Sequence, residues 1–192
     1  MTNKKDRRVR KTEMQLKEGF TELLKEKSIK EITVKELVDK VDINRSTFYL
    51  HYKDIYDILE KIETELLSEL MNITEKHKKE YNGKLDPSYL VDLFEILANN
   101  INIVRVLLGP NGDISFINNI KHMISDKVIE NIDIASSKQS KLDIEFAFSF
   151  YLNGCIGLIE HWLETGAEKS PEHMAILCFD LITKGIRNYL NN

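Results

Sequence analysis

The sequence predicts an all-α fold in which a three-helix headpiece precedes a C-terminal helical bundle that forms a dimer. The chain of 192 residues contains only 3 prolines and 8 glycines, so few positions oppose a helix. Apolar residues recur at three- and four-residue steps, whereas the alternating pattern of strands is rare. Hydrophobic residues make up 42% of the chain, which is enough for a folded core.

The first helix is predicted from about Val9 to Lys27, because Leu16, Phe20 and Leu23 form an apolar stripe along one side. A dense basic cluster lies before this helix and in its first turns. It consists of Lys4, Lys5, Arg7, Arg8, Arg10 and Lys11. Such a cluster can follow a nucleic-acid backbone or enter a minor groove. A solvated, solubilising tail is the equally weighted alternative.

Residues 33–53 predict two short helices joined by a tight turn. Thr33 is a good N-cap for the first helix, and Glu36 completes a capping box three residues later. Residues 42–44 interrupt the pattern, and Asn44 can cap the next helix. This layout is typical of a helix-turn-helix, although an ordinary hairpin with a solvated outer face has the same spacing.

The second of these helices has two different sides. Phe48 and Tyr52 lie one turn apart and are expected to face the core. On the other side, we expect Arg45 to fork onto a guanine, Leu50 to meet a thymine methyl group and Lys53 to neutralise a phosphate. The full set of expected DNA contacts is Thr33, Asn44, Arg45, Ser46, Thr47, Tyr49, Leu50, His51 and Lys53.

Charge is distributed unevenly along the chain. Residues 1–53 contain 14 Lys and Arg against 9 Asp and Glu, whereas the remaining residues contain 13 against 22. A basic first part in a chain of net charge −4 indicates that one end meets a polyanion.

Residues 43–54, INRSTFYLHYKD, resemble the DNA-binding signature of the TetR/AcrR family of transcriptional regulators. The family pattern here is Val-Ser-Arg/Lys-Gly-Thr-Phe/Leu-Tyr-x-His/Tyr-Phe-x-Asp/Asn/Ser. Asp42 and Ser46 stand where the family often has glycine, and Ile55 where it often has a lysine that can touch phosphate. Asp42 is acceptable in a turn because Asp enters the left-handed conformation more easily than most residues. The resemblance implies a TetR-like fold and binding to double-stranded DNA.

A long fourth helix is predicted over residues 54–80, where Ile55, Ile58, Ile62 and Leu66 follow a helical period. It would link a DNA-binding domain, residues 1–53, to a ligand-binding and dimerisation domain, residues 81–192. Residues 82–87 and 109–113 predict turns. Further helices are expected at about 88–108, 114–130, 142–165 and 171–190.

The last two predicted helices are apolar on more than one side. One side can pack in the subunit's own core, and a second copy of the chain is the economical partner for the other. Burial of both sides in a single-chain core is the alternative. The expected dimer interface consists of Tyr151, Cys155, Leu158, Trp162, Cys178, Ile182, Ile186 and Tyr189.

The C-terminal region also resembles a regulatory domain found in a subgroup of the family, which includes a co-activator of dihydroxyacetone kinase genes. The resemblance is carried by residues 106–113 followed by Phe116, by Gly154 to Gly157, and by residues 162–164 and 170–172. It implies a dimeric bundle that receives a small-molecule effector, without naming the ligand. By elimination, the candidate pocket residues are Phe94, Leu97, Ile101, Phe116, Ile120, Met123, Phe146, Phe150 and Asn153, although each apolar one also suits a plain core.

Enzymatic motifs are missing from the sequence. The five histidines fall on separate predicted helices, and no nucleophile elbow, dinucleotide-binding loop or Cys-rich metal cluster occurs. We therefore expect no catalytic site, metal or cofactor. Cys155 and Cys178 lie in apolar stretches, which favours reduced, buried thiols, with a redox-sensing pair as the alternative. We also expect no membrane span and a cytoplasmic location, because the N-terminus is polar and no apolar run approaches about 20 residues.

The favoured interpretation is a homodimeric, ligand-responsive repressor that binds a pseudo-palindromic operator. Ligand would favour a conformation whose recognition helices no longer match the spacing of the half-sites. Two alternatives are a co-activator that acts mainly through protein contacts, and an all-helical enzyme or carrier.

Overall fold

The computed structural model describes residues 4–80, 87–109, 114–131 and 140–190. These residues form helices and their connections and contain no strand, which confirms the all-α prediction. A short 3-10 turn, Ile29–Glu31, precedes the second helix. The helices are α1 Lys4–Glu26, α2 Val34–Lys40, α3 Arg45–Tyr49, α4 Ile55–Glu80, α5 Ser88–Asn99, α6 Ile101–Leu108, α7 Ile114–Asn131, α8 Lys141–Glu164 and α9 Pro171–Leu190.

The chain divides into two compact units. The first, the headpiece unit, comprises Met1–Ser68 and Val106–Asp113, and the second, the bundle unit, comprises Glu69–Arg105 and Ile114–Asn192. The division falls within α4, after Ser68, whereas the sequence predicts one domain that ends at residue 53 and another that begins at residue 81. The reason is that Ile55, Ile58, Ile62 and Leu66 of α4 are buried in the headpiece unit.

In the headpiece unit, α1 buries the apolar stripe that the sequence predicts, which consists of Leu16, Phe20 and Leu23. The helix begins at Lys4, so the basic cluster belongs to its first turns, where Arg7 to Lys11 are exposed. Lys17 of α1 also pairs with Glu65 of α4. The exposed cations make the first turns of α1 positively charged, while the apolar face of the helix packs in the core.

Gly19 permits a close approach between α1 and α2. A Cβ atom at this position would lie 2.3 Å from Cγ1 of Val41 and 3.3 Å from Cδ1 of Leu37. The first distance is shorter than a van der Waals contact, and the valine methyl group is held close to the backbone. Any larger side chain at Gly19 must push α2 away from α1.

We expect Gly19→Leu to lower the free energy of unfolding by about 1–3 kcal/mol, because overpacked cores displace backbone and side chains. Glu18→Ala is the matched control, since Glu18 is the exposed neighbour on the same helix. Denaturant unfolding of both variants measures the effect. A Gly19→Leu protein as stable as its parent would contradict the close packing of α1 on α2.

Local capping forms the two short helices as predicted. The Thr33 hydroxyl accepts from the backbone N–H of Glu36 at 3.2 Å, and Asn44 Oδ1 accepts from the backbone N–H of Thr47 at 2.8 Å. Between them, Asp42 has a φ of 54°, which is the left-handed conformation. This is the conformation expected at a position where the family often has glycine. The predicted helix-turn-helix geometry is therefore confirmed at both caps and at the turn.

The second short helix ends earlier than predicted, at Tyr49 rather than near Lys53. Two contacts with α4 redirect the backbone after it. The Asp57 carboxylate accepts from the backbone N–H of Lys53 at 2.7 Å, and Asp54 accepts from that of Asp57 at 2.9 Å. These two carboxylates start α4 immediately, so α3 stays short.

The helix predicted over residues 88–108 is two helices, with a break at Asn100 of the bundle unit. The Asn100 amide donates to the backbone carbonyl of Ile96 at 3.0 Å and to the carboxylate of Glu69 at 3.1 Å. Asparagine competes in this way with the backbone hydrogen bonds of a helix, which explains the interruption. The core beside the break contains Phe94 and Trp162, whose rings meet edge-on at 5.4 Å.

Candidate nucleic-acid interface

Two buried aromatic residues fix the orientation of α3. Phe48 is completely buried and Tyr52 nearly so, and their ring centroids are 5.9 Å apart. The ammonium of Lys61 on α4 lies 4.5 Å from the centre of the Tyr52 ring, and burial raises the pKa of the Tyr52 phenol. One side of α3 and of the following turn is thereby held against the headpiece core, as predicted.

The opposite side presents a mixed surface to solvent. Leu50 is 84% exposed and Tyr49 57% exposed. Arg45, Ser46 and Lys53 are exposed as well. We call these five residues, Arg45, Ser46, Tyr49, Leu50 and Lys53, the recognition surface. It combines two cations, two hydroxyl groups and an apolar side chain, the types that contact phosphates and base edges.

The side chain of Asn44 caps the N-terminus of α3 through hydrogen bonds within the first turn. Asn44 Oδ1 accepts hydrogen bonds from the hydroxyl groups of Ser46 at 2.6 Å and Thr47 at 2.9 Å, besides the N–H of Thr47. Thr47 is half-buried. Thr33 is exposed, and its hydroxyl, which accepts from Glu36, retains a hydrogen to donate. Thr33 therefore remains available to a phosphate oxygen, while the oxygen of Asn44 is fully engaged in the cap.

His51, an expected DNA contact, instead joins α1 and α4 to the turn after α3. Its side chain is 9% exposed, and Nδ1 lies 3.3 Å from the carboxylate of Glu13 on α1. Its backbone carbonyl accepts from Lys61 at 2.7 Å. The contact between His51 and Glu13 joins residues 38 positions apart in the chain, and no local sequence pattern reveals it. His51 is therefore held between α1, α4 and the turn, and it is not one of the exposed residues of the recognition surface.

The bundle unit carries an exposed apolar face on α8. We define the α8 face as Leu142, Phe146, Phe150 and Tyr151, all of which are exposed; Phe146 and Phe150 are 65% and 74% exposed. A Cβ atom added at Gly154 or Gly157 would meet nothing within 4 Å. Four-residue spacing places the first three side chains in one row, and the glycines leave room for another backbone beyond it.

Among the described residues, α8 is the one helix long and apolar enough to cross a membrane, by length and composition alone. Only 6% of its most apolar window is buried. This corrects the expectation that no segment approaches such a length. A single helix of this kind is weak evidence for a membrane, because a helix that packs on a partner has the same composition.

The structure divides the predicted dimer interface. Tyr151 and Ile182 are exposed, and Leu158 is half-buried. Trp162 and Cys178, by contrast, are 3% and 2% exposed within the single subunit, so they belong to its own core, and Cys155 packs beside Cys178. Helical spacing alone did not separate the inner stripe of α8 and α9 from the outer one. The side chains of Ile186 and Tyr189 lie outside the described residues.

The residues of the predicted pocket differ in their burial. Phe94, Leu97 and Phe116 are buried and Ile101 and Ile120 half-buried, whereas Phe146, Phe150 and Asn153 are exposed on α8. The Asn153 amide oxygen accepts from Lys121 of α7 at 2.7 Å. The side chain of Met123 lies outside the described residues. Phe146 and Phe150 therefore belong to the α8 face and not to a cavity with Phe94.

Comparison with known proteins supports a regulatory role. Residues 87–184 match a TetR-type family model described as a transcriptional regulator C-terminal region. The chain is also 40% identical over 50 residues to an uncharacterized HTH-type transcriptional regulator, YxbF, of Bacillus subtilis (strain 168). That match covers 26% of this chain and 13% of the relative, so the chain spans only a small part of that protein's length.

Solved structures are similar over nearly the whole chain. A TetR transcriptional regulator from Streptococcus agalactiae 2603V has 21% identity and a TM-score of 0.58, covering 93% of this chain and 97% of that one. The dihydroxyacetone kinase operon activator DhaS has 19% identity and a TM-score of 0.54, covering 92% and 96%. At these identities the likeness establishes the fold. Together with the family match, it confirms the resemblance found in the sequence.

Proposed function

Since this chain belongs to the TetR family of transcriptional regulators, whose members bind DNA and act as dimers, we propose that it is a homodimeric repressor with a pseudo-palindromic operator. We further propose that a small molecule received by the bundle unit releases the DNA, and that the protein works in the cytoplasm. The recognition surface is the observation that carries this proposal.

The recognition surface suits a major groove because its anchors and its contacts lie on opposite sides of α3 and of the turn that follows it. Phe48 and Tyr52 hold the inner side in the core, so the outer side chains extend from a backbone that is fixed in place. Arg45 is suited to a guanine edge and Leu50 to a thymine methyl group. Lys53 and the hydroxyl of Thr33 are suited to phosphates on either side. Such a surface is more specific than the solvated face of an ordinary hairpin.

A dimer supplies the second copy that a palindromic operator requires. Recognition helices must be about 34–36 Å apart to enter successive major grooves on one side of the duplex. The α8 face provides an apolar surface for a second copy, and a two-fold dimer uses the same face on both subunits. We therefore propose that Phe146, Phe150, Tyr151 and Ile182 lie in the dimer interface.

Ligand release has a mechanical basis in α4, one continuous helix that contributes to both units. Its first part is buried in the headpiece unit. Its second part is held in the bundle unit, where Asp92 accepts from Lys76 at 2.8 Å and lies 2.9 Å from Nε2 of His77. These two hydrogen bonds, Lys76 first, hold the pKa of Asp92 below its usual value. A ligand that shifts α5 would therefore pull on α4 and change the population of DNA-binding conformers.

The proposal is tested by selecting bound fragments from random DNA and measuring affinity for the selected sequence over a range of salt concentrations. We expect a two-fold-related motif and a steep loss of affinity with salt. Compounds are then screened for release of the DNA. Absence of any salt-dependent DNA binding would contradict the proposal, and an effector that binds without changing operator affinity would contradict the release mechanism alone.

We expect Lys53→Ala to weaken binding to all sequences alike and to reduce the slope of log affinity against log salt by about one, because one phosphate contact is lost. The backbone N–H of Lys53, which bonds to Asp57, is unchanged by this substitution. Lys141→Ala removes the same charge from an exposed position of the bundle unit and should leave the slope unaltered. Equal slopes for Lys53→Ala and its parent would exclude a phosphate contact.

Arg45→Ala in the same assay should behave differently. If Arg45 forks onto a guanine, its loss costs about 1–3 kcal/mol at one base pair and relaxes discrimination there. A uniform loss of affinity for all DNA sequences would instead show that Arg45 contacts the phosphate backbone of the DNA.

An activator is the second candidate, because the fold is shared with DhaS, whose name describes an operon activator. The α8 face would then serve a protein partner as well as, or instead of, a second copy. Reporter transcription that stays unchanged in both Tyr49→Ala and Lys53→Ala would favour this candidate, because a repressor that loses DNA contacts would let transcription rise.

A further inference from the structure

Two cysteines face each other between α8 and α9. The sulfur atoms of Cys155 and Cys178 are 3.4 Å apart, and both residues are free thiols within the bundle unit. Cys178 is 2% exposed, whereas Cys155 is half-buried. Cys155 is therefore the more exposed residue of the pair, and Cys178 is enclosed.

We propose that Cys155 and Cys178 form a reversible dithiol–disulfide site within each subunit, with a hydroperoxide as the oxidant. A disulfide requires a sulfur–sulfur distance of about 2.05 Å, so the two atoms must approach by about 1.4 Å. Both residues lie within helices that already pack together, so this approach needs side-chain rotation and a small helix shift. It needs no rearrangement of the fold.

The different surroundings of the two sulfurs assign their roles. A hydrogen bond in which either sulfur can be the donor joins the two thiols, and it lowers the pKa of Cys155. The same hydrogen bond, followed by burial, raises the pKa of Cys178. Cys155 is also the less buried residue of the pair, so it is the one that meets the oxidant, and its thiolate is the nucleophile. Cys178 is the resolving thiol.

The reaction has two steps. The Cys155 thiolate attacks the peroxide O–O bond, forms a sulfenic acid and releases an alcohol, or water from hydrogen peroxide, which takes up the proton. Cys178 sulfur then attacks the sulfenic sulfur, the S–O bond breaks, and the hydroxyl leaves as water with the thiol proton. The two thiols lose two electrons in total, and the peroxide gains them. A dithiol reductant restores both thiols by exchange.

The alternative is that the two cysteines are simply small apolar side chains in a helix contact. Treating the full-length protein with hydrogen peroxide and then with iodoacetamide separates the two interpretations. We expect a chain lighter by two hydrogen atoms, a cross-linked peptide pair containing Cys155 and Cys178, and reversal by dithiothreitol. Thiols that remain open to alkylation, or a cross-link between chains, would overturn the proposal.

Two serine variants test the order of events. Cys178→Ser should accumulate sulfenic acid on Cys155, which dimedone traps, because no resolving thiol is present. Cys155→Ser should leave Cys178 unmodified at the same peroxide concentration, because that sulfur is enclosed. If dimedone labelled Cys178 in Cys155→Ser but did not label Cys155 in Cys178→Ser, the assigned roles of the two sulfurs would be wrong.

Thermal unfolding gives an independent readout. A disulfide that closes this loop should raise the unfolding midpoint of the oxidised protein by about 5–10 °C, because it restricts the unfolded chain. Neither serine variant should respond to peroxide. These measurements need no operator, so their failure is distinguishable from failure of the proposed function.

Discussion

Replacing Phe150 with glutamate is expected to convert the protein to monomers and to remove tight binding to a palindromic operator. The side chain is 74% exposed in the subunit, so the substitution leaves the subunit fold intact. In the proposed dimer it buries a carboxylate without a partner, and a two-fold interface carries each change twice. We expect the dimer dissociation constant to rise by about three orders of magnitude.

Sedimentation and DNA titration of Phe150→Glu measure the two effects. His161→Glu is the matched control, because His161 is an exposed polar position on the same helix. Gly154→Glu, at a site where an added Cβ meets nothing in the subunit, should behave like Phe150→Glu. A stable dimer of Phe150→Glu would exclude the α8 face as the interface.

Replacing Phe48 with alanine is expected to unfold the headpiece unit in part and to abolish DNA binding. Truncating a fully buried phenylalanine costs about 3–5 kcal/mol, a large share of the 5–15 kcal/mol that typically stabilises a domain. The ring also contacts Tyr49 edge-on at 5.2 Å, so its loss releases the recognition surface from its anchor.

Tyr49→Ala is the counterpart of Phe48→Ala, one position along the chain. Tyr49 is exposed, so its removal should change the free energy of unfolding by only about 0.5 kcal/mol while weakening DNA binding. Denaturant unfolding and DNA titration of both variants separate anchor from contact. If Phe48→Ala bound DNA as well as its parent, the anchoring role of this ring would be refuted.

Local chemistry made much of the headpiece predictable from the sequence. The caps at Thr33 and Asn44 and the left-handed turn at Asp42 depend on residues no more than four positions apart. The buried pair Phe48 and Tyr52 follows from helical spacing. The family resemblance drew on the same residues, and the comparisons confirm it.

Side-chain contacts that helical spacing does not reveal explain what the sequence left unpredicted. Glu13 draws His51 inward, Asp57 shortens α3, and Glu69 helps to break the helix at Asn100. On α8, the inner and outer stripes are both apolar. Composition could not assign Trp162 to the core and Phe150 to the surface.

The burial of the first part of α4 in the headpiece unit has a consequence for protein engineering. A fragment cut at residue 53 would lack Ile55, Ile58 and Leu66, and would expose the apolar surface that they cover. Chimeric regulators that exchange the bundle unit should therefore be joined within α4 near Ser68, and they must also supply residues 106–109, which belong to the headpiece unit. The headpiece unit of this protein is therefore built from two separate stretches of the chain.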